Sequence, residues 1–138
     1  MPRIATFIYS EDSLSEPTPQ GQRMNVVNPQ LVFRPLFIPS LFSFAITFGI
    51  SGMDTTQENK IQLLFRNPDD SEILINTDFT MPKSDDDSEL PIEVRGAMVN
   101  MNLRNVPFKS EGTYSTEVIV NGDSLGRFPI YVKGKEQV

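Results

Sequence analysis

The chain contains no cysteine, no histidine and no tryptophan. Without cysteine there can be no disulfide, thiolate metal site or thiol nucleophile. Without histidine, the commonest metal ligand and the side chain best suited to proton transfer near neutral pH are both missing. With tryptophan absent and only three tyrosines present, little flat aromatic surface is left for stacking a sugar ring. A serine or threonine nucleophile would need a base, and no Gly-x-Ser-x-Gly elbow or glycine-rich phosphate loop occurs. The residues predict no enzymatic activity, no catalytic or metal-ligating set and no cofactor.

Charge and targeting narrow the field further. Twelve bases against eighteen acids give a net charge of −6, which repels nucleic-acid phosphates. The basic residues Arg34, Arg66, Arg95, Arg104 and Arg127 are scattered, so no basic stripe offsets this. The first nine residues, Met1 to Tyr9, lack the charged head and apolar stretch of a secretory signal. The longest apolar stretch, Leu41 to Ile50, is about half of a bilayer span and is interrupted by Ser43, Thr47 and Gly49. The expectation is a cytoplasmic protein that binds neither nucleic acid nor membrane. At 138 residues with 38% hydrophobic content, a single domain with its own core is expected over 1–138, ending in a short tail at 134–138.

Period-two alternation dominates, the mark of strands with one buried face. Phe42, Phe44, Ile46, Phe48 and Ile50 fall on one side of a strand, with Leu41, Ser43, Ala45, Thr47 and Gly49 on the other. The pattern recurs at Ile61, Leu63 and Phe65, at Ile73, Ile75, Thr77 and Phe79, and at Ala97, Val99, Met101 and Leu103. No segment sustains a 3.6-residue stripe, so helices should be short or absent.

Turn chemistry fits between these runs. Asn67-Pro68-Asp69-Asp70 separates two strands, and a charged loop spans about 82–91. Asn121-Gly122 is the pair favoured in two-residue type I′ hairpins, where both positions need φ > 0. That turn sets Val120 against Asp123 and Val118 against Leu125. The next apolar set, Phe128, Ile130 and Val132, has the opposite parity. One extra residue must therefore be absorbed, and Gly126 is the natural site for a bulge. Thr116 then faces Phe128, and Tyr114 faces Ile130. Pro129 cannot donate to a ladder, which places that stretch at a sheet edge.

The first forty residues are less regular. Ile4 to Tyr9 reads as a strand. Glu11 to Gln22, rich in Ser, Glu, Pro and Gln, reads as an exposed connection without a packed core. One or two further strands lie between Met24 and Phe37, interrupted by Pro29 and Pro35. Eight or so short strands separated by turns predict an all-β, antiparallel sandwich.

The run Glu111-Gly-Thr-Tyr-Ser-Thr-Glu-Val-Ile-Val-Asn-Gly-Asp-Ser-Leu-Gly-Arg-Phe-Pro-Ile-Tyr-Val132 resembles the closing hairpin of a family of small bacterial immunoglobulin-like β-sandwich proteins of unknown function. Phe37 to Gly52 is similar to their central strand. The resemblance covers about residues 3–133. It implies an antiparallel immunoglobulin-like β-sandwich of about seven to nine strands. It also implies that Tyr114 is the structural tyrosine opening the penultimate strand and bonding back to nearby backbone. It carries no catalytic motif.

Two features remain as candidates. Asp85-Asp86-Asp87-Ser88-Glu89 is an acidic loop to which Asp69, Asp70 or Asp123 could add oxygens for calcium, although a solvated loop is the better reading because consecutive aspartates point in different directions. Pro35-Leu36-Phe37-Ile38-Pro39 places three large apolar side chains between two prolines, in a segment ill suited to a central strand. It either plugs one end of the core or presents Leu36 and Phe37 as an anchor for a partner. Leu41 and Leu64, on the polar faces of their strands, suggest that part of an outer sheet face is covered, by segment 11–22 or by a second copy. Leu36, Phe37, Ile38, Leu41 and Leu64 are therefore the candidate partner-binding residues. The function expected is a non-catalytic protein–protein interaction module: an adaptor, an assembly subunit or an inhibitor of a larger bacterial or phage machine. The alternatives are a homo-oligomer and a small-ligand or carbohydrate-binding module using calcium at its end loops.

Overall fold

The computed structural model describes residues 1–84 and 89–135. Two sheets face each other. The first has the strand order β2 (Gly21–Gln30), β1 (Arg3–Thr18), β4 (Ser40–Ser51), β7 (Gly96–Phe108). The second runs β3 (Val32–Phe33), β9 (Asp123–Val132), β8 (Gly112–Val120), β5 (Asn59–Arg66), β6 (Ile73–Met81). Among the described residues the only helical element is a 3-10 turn, Ile92–Val94. All pairings are antiparallel except the short parallel match of β3 to β9. The order β1-β4-β7 against β9-β8-β5, with β6 added beside β5, is the immunoglobulin-like arrangement.

The core is aromatic. Phe33, Phe44, Phe48, Phe65, Phe108 and Tyr114 are all at most 2% exposed. Their rings meet at centroid distances of 4.9 Å for Phe33–Phe44 and Phe108–Tyr114, and 5.4 Å for Phe44–Phe65. Tyr114 donates its hydroxyl to the Ser110 carbonyl at 2.7 Å, the backward bond the resemblance implied. Tyr9 spans the sheets, its hydroxyl bonding Thr116 Oγ1 at 2.7 Å and donating to the Phe128 carbonyl. Burial raises the pKa of that phenol far above its ordinary value, so it stays protonated.

The closing hairpin follows the parity argument. Asn121 and Gly122 both have positive φ, Thr116 faces Phe128, and Tyr114 faces Ile130. The extra residue is Leu125, since Val118 pairs with Gly126, whose φ is 129°. A second parity break sits in β7, where Phe42 pairs with Val106 but Phe44 with Leu103. Ser43 thus faces two residues, and Asn105 takes a φ of 55° and donates its N–H to Ser43 Oγ at 3.0 Å. The bulge turns Val106 and Phe108 inward after Val99 and Leu103.

The segment Glu11–Gln22 is mostly exposed, as its composition predicts, but it is paired strand and not a connection. It is the distal half of a continuous β1–β2 hairpin, with Asp12 paired to Val27 and Thr18 to Gly21. β1 stays beside β4 only as far as Ser10, opposite Ala45. Beyond that point Ser13 and Ser15 bond to Asn102 and Asn100 of β7, on the far side of β4. The hairpin therefore crosses the outer surface of the first sheet above β4. This explains why Ala45 and Thr47, which point outward by alternation, are 0% and 2% exposed. Composition misled because the docking uses amide hydrogen bonds in place of large apolar side chains. Asn102 acts like a short extra strand: its Oδ1 accepts from the Ser13 N–H at 3.2 Å and its Nδ2 donates to the Ser13 carbonyl at 3.0 Å. Replacing Asn102 with Asp turns the donor into an anion facing that carbonyl, at an expected cost of about 1–3 kcal/mol. Amide exchange should then speed up selectively in 12–18 and leave β5 and β8 protected. Uniform acceleration across the chain would contradict local docking.

Candidate protein-binding site

β3, β7 and β9 finish, and β4 begins, at one end of the sandwich: Phe33 pairs with Val132 and Ser40 with Phe108. The connection 34–39 is fastened there by Lys133 N–H to the Phe33 carbonyl (3.0 Å) and Lys135 N–H to the Pro35 carbonyl (2.8 Å). Pro35 is buried, and Ile38, which precedes a cis peptide bond to Pro39, packs against the core. Leu36 and Phe37 lie between these two fixed points and remain 53% and 43% exposed. The segment thus plugs the core with Pro35 and Ile38 and leaves Leu36 and Phe37 facing outward. Leu41, beyond the hairpin's cover, is 66% exposed. It walls a groove of about 580 Å³ shared with Arg34, Phe42, Lys135 and Glu11. Glu11 accepts the Asn28 side-chain amide at 3.0 Å, and Arg34 Nε donates to the Lys133 carbonyl at 3.2 Å.

Leu64 does not join this surface. It lies on the second sheet, opposite Asn76 and Glu117, and is only 9% exposed. Segment 11–22 crosses the first sheet and does not cover it. Gln62 and Arg66 flank Leu64 on its own strand, and long side chains of this kind cover apolar surface with their stems. Arg66 pairs with Glu117 at 2.8 Å, both side chains being less than a fifth exposed. The Ser124 hydroxyl, then the Arg66 guanidinium, hold the Glu117 carboxyl below the usual carboxylate range. A folded value below the unfolded one stabilises above the ordinary carboxylate pKa and is lost as pH falls through the folded value. Urea unfolding of wild type and Glu117→Gln should therefore show a stability gap near pH 7 that closes as the pH falls below the ordinary carboxylate range. A gap that widens with acid would reverse the assignment.

The sequence reading missed a second apolar surface at the opposite end, where β4 finishes and β7 begins. Leu90, Ile92, Val94 and Met98 are 38–53% exposed there. Val94 and Met98 line a cleft of about 340 Å³ with Ala5 and Gly49. Met98 Sδ lies 2.7 Å from where a Gly49 Cβ would sit, so the thioether rests directly on the glycine. The legible signal was the alternation of Leu90, Ile92 and Val94 outside any expected strand.

The residues that could assist the acidic loop are split between the two ends of the sandwich. Asp85–Ser88 lie outside the described residues. Asp69 and Asp70 sit in the loop after β5, and Asp123 in the turn at the other end of the sandwich. Asp69 accepts the Ser71 N–H, which lowers its pKa, and Asp70 pairs with Arg127 at 2.9 Å. Among the described residues no three acidic side chains converge where a cation could sit. Among them also, no helix is long and apolar enough to cross a membrane.

The strand order, the Tyr114 bond and the closing hairpin together define an immunoglobulin-like β-sandwich. A family profile matches residues 33–133, and the chain belongs to that family, a family of unknown function (DUF6941). No curated protein matches the chain. Among solved structures, an immunoglobulin-like protein from Pseudomonas aeruginosa is similar at 14% identity over 96% of this chain and 97% of its own, with a TM-score of 0.42. A β-glucosidase from Listeria innocua is similar at 12% identity over 94% of this chain, with a TM-score of 0.44. The chain spans 16% of that enzyme's length.

Proposed function

We propose that this protein is a cytoplasmic, non-catalytic protein–protein interaction module, acting as an adaptor, assembly subunit or inhibitor of a larger bacterial or phage machine. The observation that carries the reading is the display of Leu36, Phe37 and Leu41 on a fastened support. Pro35 and Ile38 are held in the fold while their neighbours stand exposed. Large apolar side chains on a rigid base act as anchors because little ordering entropy remains to be lost on binding. Arg34 and Lys135 at the groove supply polar groups that would fix orientation.

A photoreactive amino acid at position 37, with position 73 on β6 as the control, tests this in the native cell. Ile73 is 49% exposed, so exposure alone does not separate the two. A discrete adduct formed from position 37 and absent from position 73 is the expected result. Equal, diffuse labelling from both would overturn the proposal.

A further inference from the structure

We infer that the β1–β2 hairpin beyond Glu11 and Asn28 is a hinged strap, closed over the first sheet, and that its hinge forms one wall of the groove beside Leu41. Closure of the strap and occupation of the 36–41 surface then favour one another. This rests on the reading of Leu36, Phe37 and Leu41 as a contact surface and adds how that surface is regulated.

The bend is confined to one position. The β1–β2 ladder pairs Ser10 with Pro29 and Asp12 with Val27, but passes over Glu11 and Asn28. Asn28 takes a φ of 55°, and its Nδ2 donates to Glu11 Oε2 at 3.0 Å. Asparagine visits this left-handed region more readily than most residues, yet the proline that follows steers it toward extended backbone. The closed bend is therefore strained. Straightening it at Asn28 lifts the hairpin while β1 stays paired with β4 up to Ser10.

Little holds the strap down. Among the described residues, no side chain from Glu11 to Asn28 belongs to the hydrophobic core. Its side-chain bonds to the sheet beneath run between Ser13 and Asn102 and between Ser15 and Asn100. Beneath it the Thr47 hydroxyl is buried with no hydrogen-bond partner among the described residues, a penalty that water relieves on opening. A few amide bonds thus oppose a strained hinge and an orphaned hydroxyl. A segment held this way opens locally while the aromatic core stays folded.

The hinge also belongs to the groove. Glu11 and Asn28 line it together with Arg34, Leu41 and Lys135, whereas Asn100 and Asn102 do not. When Asn28 leaves the left-handed region, the wall it makes with Glu11 turns away, so the groove is complete only under a closed strap. By linkage, a partner that uses this wall holds the strap closed by the same factor by which closure strengthens its binding.

Amide exchange of the full chain tests the hinge, because a lifted two-stranded hairpin barely holds its own ladder and exchanges from the open state. Asn28→Gly accepts the left-handed φ and should exchange no faster than wild type in 12–18 and 21–27. Asn28→Val cannot hold that φ and should exchange there about tenfold faster or more, with 3–8, β5 and β8 unchanged. Equal rates in the two variants, or acceleration spread over the whole chain, overturn the strap. The coupling is tested by Asn100→Ala combined with Asn102→Asp, which removes both anchors without touching the groove. The yield of the position-37 adduct should then fall about fivefold or more, in step with the closed fraction read from exchange. A strap that opens with no loss of adduct overturns the coupling. Asn100→Ala with Asn102→Ala replaces the pair if the sandwich no longer melts cooperatively. No adduct from position 37 in wild type would remove the contact surface and its regulation together, while the strap would still stand or fall with the two Asn28 variants.

Discussion

Truncating Phe108 to alanine is expected to remove about 3–5 kcal/mol of stability, the cost of deleting a buried ring and leaving a cavity. Phe108 is 0% exposed, and its ring lies within 6.4 Å of Phe33, Phe42, Phe44, Phe65 and Tyr114, centre to centre. These neighbours come from four strands of both sheets, so no single element can move in to fill the space. Domains of this kind have about 5–15 kcal/mol in total, and calorimetry should show the melting temperature falling by more than about 10 °C. Phe108→Leu, which keeps most of the volume, should lose clearly less. Equal losses for the two would mean that the aromatic cluster is not what joins the sheets at this end.

The second large effect is expected at Gly96, for a reason of space. A Cβ there would lie 1.7 Å from the Ile50 carbonyl oxygen and 2.7 Å from its carbon. Both are backbone atoms of the neighbouring strand, so no side-chain rotation relieves the clash. Gly96→Ala must push β7 away from β4 where Gly96 pairs with Ser51. It would also strain the adjacent bonds from the Gly52 and Met53 N–H groups to the Arg95 carbonyl, at 2.8 and 3.1 Å. A loss of about 3 kcal/mol or more is expected, at the upper end for added bulk. Gly122→Ala is the contrast. Nothing lies within 4 Å of its Cβ position, and only its φ of 87° opposes a side chain, which should cost about 1 kcal/mol. Urea denaturation of both variants should rank Gly96→Ala as much the more damaging. The reverse order would mean that β7 does not approach β4 so closely.

The parts of the fold legible in the sequence are those whose side chains alternate strictly. The aromatic face of β4 and the Asn121-Gly122 hairpin with its bulge were readable because period two and turn chemistry act locally. The Asn105 bulge left the same kind of parity break, between Leu103 and Val106, beyond the alternation that ends at Leu103. The docking of the β1–β2 hairpin was not legible, since it depends on Asn100 and Asn102 meeting Ser15 and Ser13 across 85 and 89 residues of chain. The candidate site was half legible. Prolines at 35 and 39 announced an unusual apolar segment, yet which side chains faced out depended on the backbone bonds from Lys133 and Lys135. Leu64 was misplaced because its cover comes from neighbours on three strands.

The measurement that bears most directly on the whole account is the thermal unfolding of Phe37→Asp beside Phe108→Ala. Phe37 as a displayed contact predicts a melting temperature within about 5 °C of wild type, in keeping with a mostly surface substitution. A fall as deep as that caused by Phe108→Ala would show that Phe37 belongs to the interior, and would leave the proposed binding surface without its central side chain.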